Sequence, residues 1–203
     1  MLGETFMKYV IMADGKGTRW NNYQNIPKHF IKVNGETLLA RTVRLLKEKD
    51  QGCQVIITSH DPRYDIEGAT RYEPKNNVLE IDRFTRELVE DDVCFLYGDT
   101  YYSDDAMDKI VNMEAEDLLF FGNEKSIVAV KVKDADVFTW HLDNVTNLFL
   151  ADKIKDCKGW QVYQSFSGLP FDIKQIGEQY IYIEDGTKDY NAPEDLDMGK
   201  DIE

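Results

Sequence analysis

Short apolar runs recur along the chain and are separated by amphipathic segments, which is the pattern of strands alternating with helices. Each run is bounded by polar or turn-forming residues, as buried strands of a parallel sheet usually are. Such strands are predicted at residues 8–12, 54–58, 93–97, 118–121, 127–132 and 179–183. Residues 30–33 predict a further extended piece, which is closed by the turn pair Asn34-Gly35.

Helices are predicted between these strands, where apolar residues recur at spacings of three and four. The clearest lies at residues 37–49, in which leucines share one face and basic residues the other. Further helices are predicted at residues 77–90, 104–113 and 192–198, and Pro193 opens the last of them. Residues 134–174 are rich in aromatic side chains and mixed in period, so no element is assigned there.

The alternation predicts an α/β fold, a Rossmann-like three-layer α/β/α arrangement with a mostly parallel sheet. The 203 residues suit one domain, predicted to span residues 1–203. In open sheets of this kind, ligands bind beyond the carboxyl ends of the strands. Functional residues are therefore expected in the loops that follow the strands.

The charge balance is strongly acidic, with 24 lysines and arginines against 38 aspartates and glutamates and a net charge of −14. Nucleic acids and anionic membranes attract basic surfaces, so neither is an expected partner. An anionic small molecule held by a few local cations is compatible with this balance. No apolar run is long enough to span a bilayer, and no secretory signal is visible. Cys53, Cys94 and Cys157 are odd in number and far apart, which predicts buried free thiols in the cytoplasm.

A candidate phosphate loop follows the first strand. Residues 13–19 read Ala-Asp-Gly-Lys-Gly-Thr-Arg, and Pro27-Lys28 lies eight residues further on. Two glycines one residue apart let the backbone approach a ligand, and their N–H groups can converge on phosphate oxygens. Arg19 and Lys28 add two cations. The residues predicted to bind nucleotide here are Ala13, Asp14, Gly15, Lys16, Gly17 and Thr18.

Two familiar phosphate-binding motifs do not fit this loop. A P-loop has two glycines with four residues between them, followed by Lys-Ser/Thr, and Gly15 has no partner at that spacing. A dinucleotide fingerprint has a third glycine where Trp20 stands. An ordinary turn that merely contains two glycines would also show this pattern, but the added Thr-Arg and Pro-Lys pairs favour phosphate binding.

The stretches YVIMADGKGTRW and IPKHFIKVNGETLLARTVRLL resemble the opening of the GT-A-like nucleotidyltransferases. This family includes sugar-phosphate, phosphocholine and isoprenoid cytidylyltransferases and molybdopterin guanylyltransferases. Two later stretches resemble family segments in the same order: VCFLYGDTYYSD resembles the central strand that ends in a metal-binding aspartate, and KDYNAPEDLDMG resembles the segment with the second metal ligand. The resemblance spans about the whole chain and is weakest at residues 133–174.

The resemblance implies a Mg²⁺ site formed by Asp99, Asp189 and Asn191. Asn191 stands where the family usually has an aspartate and brings no charge. Asp189 lies two residues earlier, on the same side of an extended strand, and is expected to supply the negative charge. Taken without the resemblance, Asp99 in Gly-Asp-Thr also suits a turn or a helix N-cap.

The implied reaction is in-line attack of a phosphate-monoester oxygen on the α-phosphorus of a nucleoside triphosphate, with CTP favoured, and release of pyrophosphate. Lys28, Arg19 and Asp99 are the implied catalytic residues. The attacking oxygen is already ionised near neutral pH, because the second pKa of a phosphate monoester is about 6, so no general base is needed. His29 is expected to pack or to face solvent. The partners are thus a nucleoside triphosphate and a sugar, polyol or choline phosphate, and a monomer and a homodimer are equally compatible.

Base and acceptor recognition stay open. Asp14 can accept hydrogen bonds from a base or cap the loop backbone, and Asn76 and Asn77 match the family's base-contacting stretch by position only. The aromatic side chains of residues 134–174 would suit either a cage for a quaternary ammonium group or, more commonly, a core. These are Trp140, Trp160, Tyr163, Phe166 and Phe171.

Two rival functions remain. A GT-A glycosyltransferase would usually present Asp-x-Asp after the central strand, whereas residues 98–101 read Gly-Asp-Thr-Tyr. A non-catalytic nucleotide-binding or regulatory homologue would keep the loop but lose the metal chemistry. Asp14 and Asn191 are the residues that favour this second alternative.

Overall fold

The computed structural model describes residues 6–21 and 23–196, which form a seven-stranded sheet flanked by helices. The strand order is β10-β8-β9-β6-β1-β4-β5, and β9 alone runs antiparallel to its neighbours β6 and β8. The strands are β1 (Lys8–Met12), β4 (Gln54–Thr58), β5 (Thr70–Tyr72), β6 (Val93–Tyr97), β8 (Leu118–Gly122), β9 (Ile127–Val132) and β10 (Tyr180–Tyr182). The mostly parallel α/β sheet is confirmed.

Within the described residues, four helices cover the two faces of this sheet: α1 (Leu38–Lys49), α2 (Asp104–Asn112), α3 (Ala135–Leu150) and α4 (Gly159–Phe166). Alternate residues of each strand point to opposite faces, so β1 feeds two separate cores. Tyr9 and Ile11 join the core under α1 and α2, whereas Val10 joins the core under α3 and α4. The three-layer arrangement is therefore the consequence of strands that are apolar on both faces.

Two short antiparallel pairs lie outside the main sheet. β2 (Lys32–Val33) pairs with β3 (Glu36–Thr37), and the turn between them has positive φ at Asn34 and Gly35, as a tight hairpin turn requires. β7 (Thr100–Tyr101) pairs with β11 (Lys188–Asp189), which brings the end of the chain back beside the central strand β6. This second pair determines the position of residues 188–196, called the late acidic segment below.

The helix predicted at residues 77–90 is wrong. Two 3₁₀ turns, Glu80–Arg83 and Arg86–Leu88, stand there instead. Asp82 accepts hydrogen bonds from the backbone N–H groups of Val78 and Leu79, and Phe84 inserts into the core against Phe95 and Phe138. Tertiary packing of one aromatic ring therefore outweighs the helical spacing.

The unassigned stretch 134–174 contains α3 and α4. Asp134 caps α3 by accepting a hydrogen bond from the N–H of Val137. Residues 159–164 of α4 are all buried, Gln161 and Gln164 included, so its polar residues do not mark a solvent-facing side and the helical period is hidden. Where a helix was predicted at 192–198, Pro193–Asp195 is a 3₁₀ turn followed by an extended backbone at Leu196, and residues 197 and 198 lie outside the described residues.

Cys53, Cys94 and Cys157 are buried and free, as predicted. Within residues 6–21 and 23–196, no helix combines the length and apolar character needed to cross a bilayer.

Candidate active site

The loop at residues 13–19 leaves β1 at the carboxyl edge of the sheet, beside the end of β6. Ala13 is buried and its N–H donates to Thr58 Oγ1 at 3.3 Å. Gly98 is needed at this point, because a Cβ there would lie 2.9 Å from the carbonyl oxygen of Met12. Gly17 has a φ of 57°, which glycine adopts without strain. Within the described part of the chain, no group accepts a hydrogen bond from the backbone N–H groups of residues 15–18.

Trp20 anchors the far end of the loop. Its indole N–H donates to the carbonyl oxygen of Ile26 at 2.9 Å, and its ring is 2% exposed. It packs in one cluster with Tyr190 and Leu196 from the end of the chain. The large side chain that excludes a dinucleotide fingerprint therefore holds the loop against the late acidic segment.

Lys28, in the 3₁₀ turn Lys28–Phe30, forms a buried ion pair with Asp99, which follows β6. The Lys28 ammonium donates to the Asp99 carboxylate, and the residues are 8% and 7% exposed. Burial raises the pKa of Asp99, but Lys28, His29 and Arg83 together lower it by more, so the pKa lies below its usual value. Asp99 is thus an ionised carboxylate at the point where the sheet opens.

His29 packs beside this pair, and its Nδ1 lies 2.7 Å from the Tyr64 hydroxyl oxygen. Burial lowers the pKa of His29 to about 4, so the ring is neutral at pH 7. His29 was expected either to pack or to face solvent, and in the structure it packs.

This burial predicts a pH dependence of stability. In the unfolded chain His29 takes up a proton below its ordinary pKa of about 6.5, whereas in the folded protein it does so only near pH 4. Stability is therefore complete above pH 6.5 and falls as the pH drops towards 4, by about 3 kcal/mol from this group. Urea unfolding between pH 7 and 4 measures the loss, and His29→Gln should lack it. Equal slopes for the two proteins would contradict this account.

Arg19, Asn191 and Asp189 form a chain of contacts opposite Asp99. The Arg19 guanidinium donates to Asn191 Oδ1 at 2.7 Å, and the Asn191 amide donates to the Asp189 carboxylate. Ser126 Oγ lies 3.4 Å from Asp189 Oδ1. The N–H of residue 190 donates to the backbone carbonyl of Asp99 at 2.8 Å, which places these oxygens beside the central strand.

A cavity of about 250 Å³ lies where these elements meet. It is lined by the predicted Arg19, Asp99, Asp189 and Asn191. Basic side chains outnumber acidic ones in its wall, by five to three, although the whole chain carries a charge of −14. The basic residues are Arg19, Arg83, Lys125, Lys158 and Lys174, and the acidic ones are Glu80, Asp99 and Asp189. The cavity is thus a local cationic site suited to phosphate groups.

Arg83 is a candidate ligand-binding residue that the sequence did not identify. Its guanidinium carbon lies 3.2 Å from the point where a Cβ on Gly15 would stand, so the guanidinium lies against the loop. The missing side chain of Gly15 leaves the space that Arg83 occupies. A basic residue in a segment of turns would have been the only sequence signal for Arg83. The prediction of a helix at residues 77–90 hid that signal.

Asp14 points away from the cavity. Its carboxylate accepts from the backbone N–H of His60 at 3.1 Å and lies 2.9 Å from His60 Nδ1. Asn77 donates to the Asp14 backbone carbonyl at 2.6 Å and to its carboxylate at 2.9 Å. Of the two interpretations of Asp14, capping of the loop is the one that its contacts support.

The other predicted nucleotide-binding residues lie around the loop. Ala13, Asp14 and Gly15 border a second, shallow pocket with His60 and Tyr64. Lys16 and Thr18 are exposed, as is Asn76.

The aromatic residues of the acceptor hypothesis divide between core and surface. Tyr163 is fully buried, Phe166 and Phe171 pack on the same core, and Trp140 is 61% exposed on α3. Trp160 alone of the five lines the cavity. Most of this set is therefore core, and an aromatic cage is not what the described residues form.

Comparison with solved structures shows the same architecture in enzymes of one class. A putative glucose-1-phosphate thymidylyltransferase from Bacillus anthracis matches with a TM-score of 0.62, at 12% identity over 97% of this chain and 94% of that one. The inositol-1-phosphate CTP transferase from T. maritima matches with a TM-score of 0.60, at 12% identity over 97% and 94%. The CTP:phosphocholine cytidylyltransferase from Streptococcus pneumoniae matches with a TM-score of 0.54, at 14% identity over 94% and 95%. The chain has the nucleotidyltransferase fold. No family model and no curated protein matches the sequence.

Three oxygen-bearing side chains line the cavity in this fold: Asp99, Asp189 and Asn191. Mg²⁺ prefers oxygen ligands and is commonly held by one or two carboxylates with substrate phosphates completing its shell. No cluster of three His, Cys, Asp or Glu residues that could hold a metal by itself occurs within residues 6–21 and 23–196. The three side chains thus supply oxygen donors of the kind that Mg²⁺ prefers, without being a complete ligand set by themselves.

Proposed function

We propose that this protein is a nucleotidyltransferase that joins a nucleoside monophosphate unit from a triphosphate to a small phosphate monoester and releases pyrophosphate. The observation that carries the proposal is the cavity at the carboxyl edge of the sheet. There, the guanidinium groups of Arg19 and Arg83 lie in one cavity with the carboxylates of Asp99 and Asp189, and Arg83 also lies against the loop at Gly15. That combination provides charge neutralisation for a triphosphate and oxygen ligands for a cation in one place.

The reaction needs positioning and charge neutralisation more than proton transfer. An oxygen of the acceptor phosphate attacks the α-phosphorus, and the bond from that phosphorus to the bridging oxygen breaks, so pyrophosphate leaves with the electron pair. The attacking oxygen is already ionised near pH 7. His29 has no role as a base, because it is buried and its Nδ1 is engaged by Tyr64.

In this proposal, Arg83 and Arg19 bind the triphosphate together with the N–H groups of residues 15–18. Lys28 holds the Asp99 carboxylate in place until phosphate oxygens arrive. Asp99, Asp189 and Asn191 would hold a Mg²⁺ ion, which when bound neutralises charge on the reacting phosphates. Each of these groups is held by a contact with another segment before the ligand binds, and such preorganisation lowers the barrier.

CTP is the favoured nucleotide, and a sugar, polyol or choline phosphate the acceptor. Two of the structural neighbours are named for CTP, one with inositol 1-phosphate and one with phosphocholine, and a third is named for a glucose phosphate. The protein is proposed to work in the cytoplasm, which its buried free thiols suit.

A second candidate function is a nucleotide-binding protein without catalysis. Two observations favour it: Asn191 replaces a charged ligand, and Lys28 already neutralises Asp99. The two functions share the triphosphate site and differ in product formation.

The experiment that separates them is an assay of pyrophosphate release. CTP, UTP, GTP, ATP and dTTP are each mixed with Mg²⁺ and a panel of glucose, inositol, glycerol and choline phosphates. The transferase predicts pyrophosphate and a nucleoside-diphosphate product in equal amounts for at least one pair. Triphosphate binding with no pyrophosphate for any pair would favour the binding protein.

Arg83→Gln is expected to weaken triphosphate binding by about tenfold to a hundredfold, because a hydrogen bond to a charged group is worth about 1.5–3 kcal/mol. Calorimetric titration with the triphosphate measures the change. Arg86→Gln is the matched control, since Arg86 lies three residues away and pairs with Asp143 outside the cavity. Equal affinities for the two variants would exclude Arg83 from the triphosphate site.

A further inference from the structure

One wall of the cavity is formed by residues 158–160 at the start of α4 and by the turn between β8 and β9. The Lys158 side chain does not cap the helix, and no described group accepts a hydrogen bond from the backbone N–H of Gly159 or Trp160. The first turn of a helix with free N–H groups attracts anions. Two further observations at the same wall point to a ligand.

The first is the indole N–H of Trp160. The residue is 6% exposed and lines the cavity, yet this N–H has no acceptor within the described part of the chain. A buried donor without a partner is unfavourable, and most buried donors in folded proteins therefore have one. An anionic oxygen bound at this wall would give it an acceptor.

The second is the position of Lys174. Its ammonium lies 4.5 Å from the centre of the Trp160 ring and donates to the carbonyl oxygens of Lys125 at 2.8 Å and Glu124 at 3.2 Å. Because the Lys174 ammonium already lies over the Trp160 ring, that face of the ring is not available to a second cation. Lys158 and Lys174 both line the cavity, so two positive charges belong to the same site.

We propose that this wall, the Trp160 subsite, binds the phosphate of the acceptor and selects phosphate esters with a neutral organic group over esters with a quaternary ammonium group. The inference rests on the proposed function and narrows its acceptor class. Lys158, Lys174 and the free N–H groups attract the phosphate, and Asp189 lines the same cavity. The phosphate would therefore sit beside the oxygen ligands at which the reaction takes place. Lys174 on the Trp160 ring repels a trimethylammonium group.

The test is a calorimetric titration in two stages. The first adds an α,β-methylene analogue of CTP, which cannot release pyrophosphate, and reports on the nucleotide site. The second adds glycerol phosphate or phosphocholine, with and without the analogue, so that the acceptor result is obtained whatever the first stage shows. Failure of the first stage counts against the proposed function, and failure of the second alone counts against the subsite.

Wild-type protein should bind glycerol phosphate at least about tenfold more tightly than phosphocholine. Lys174→Ala should remove that preference, because the ring face becomes free for the ammonium group. Trp160→Phe keeps a ring but lacks the N–H, and should weaken both esters by about tenfold. Lys155→Ala, on an exposed residue outside the cavity, is the control and should change neither affinity.

Three results would overturn the proposal. Phosphocholine could bind the wild type as tightly as glycerol phosphate, Lys174→Ala could leave the preference unchanged, or neither ester could bind to folded protein.

Discussion

Asp99→Asn is expected to lower the rate of pyrophosphate release by about a thousandfold or more. The substitution keeps the shape of the side chain and removes its charge at the point where the sheet opens into the cavity. A carboxylate that holds a cation against reacting phosphates contributes several kcal/mol to the transition state, which corresponds to a factor of this size. Initial rates with the nucleotide and acceptor found for the wild type measure the effect.

Asp104→Asn is the matched control for this substitution. Asp104 is also an aspartate after the central strand, but it pairs with Arg41 at the surface. Surface pairs contribute little to stability, so the control should stay folded and active. Near-normal turnover of Asp99→Asn would show that the reaction takes place elsewhere or without this carboxylate.

Lys28→Met and Asp99→Asn should each lower the free energy of unfolding by about 3–5 kcal/mol. Each leaves the other group buried and charged without a partner, and the loss of one member of a buried ion pair costs about this much. The double variant Lys28→Met with Asp99→Asn removes both charges. It should therefore recover a large part of the loss.

Urea unfolding of the four proteins gives this comparison as a double-mutant cycle. A coupling energy of about 2 kcal/mol or more is expected between Lys28 and Asp99. Additive effects, or single variants within about 0.5 kcal/mol of the wild type, would contradict a buried pair. The cycle also shows whether lost activity in Asp99→Asn reflects chemistry or unfolding.

Strands are the elements that the sequence predicts best, because burial on both faces makes their apolar runs continuous. Lys8–Met12 and Val93–Tyr97 occur as predicted. The loop between Ala13 and Arg19 was also predicted from a local signal, because its two glycines let the backbone approach a ligand closely. Local signals of this type do not depend on which distant segment lies nearby.

The parts that were missed depend on long-range packing. Phe84 breaks the predicted helix because it fills the core against Phe95, and the break turns Arg83 towards Gly15. The pairing of Lys28 with Asp99 joins residues 71 positions apart, and no spacing rule reveals it. Lys174 reaches Trp160 from an irregular segment in the same way. Individual side chains of the site could be named from the sequence, but their partners could not.

The most direct test of the central claim is a thermal-shift titration of the wild type with CTP, UTP, GTP, ATP and dTTP, with and without Mg²⁺. A ligand at about 100 times its dissociation constant adds about 2.7 kcal/mol, which raises the Tm of a domain of this size by about 5–10 °C. The account predicts such a shift for one triphosphate, CTP first, and a larger shift with Mg²⁺ than without. No shift with any triphosphate on folded protein would contradict it and would leave the loop at residues 13–19 as a structural turn.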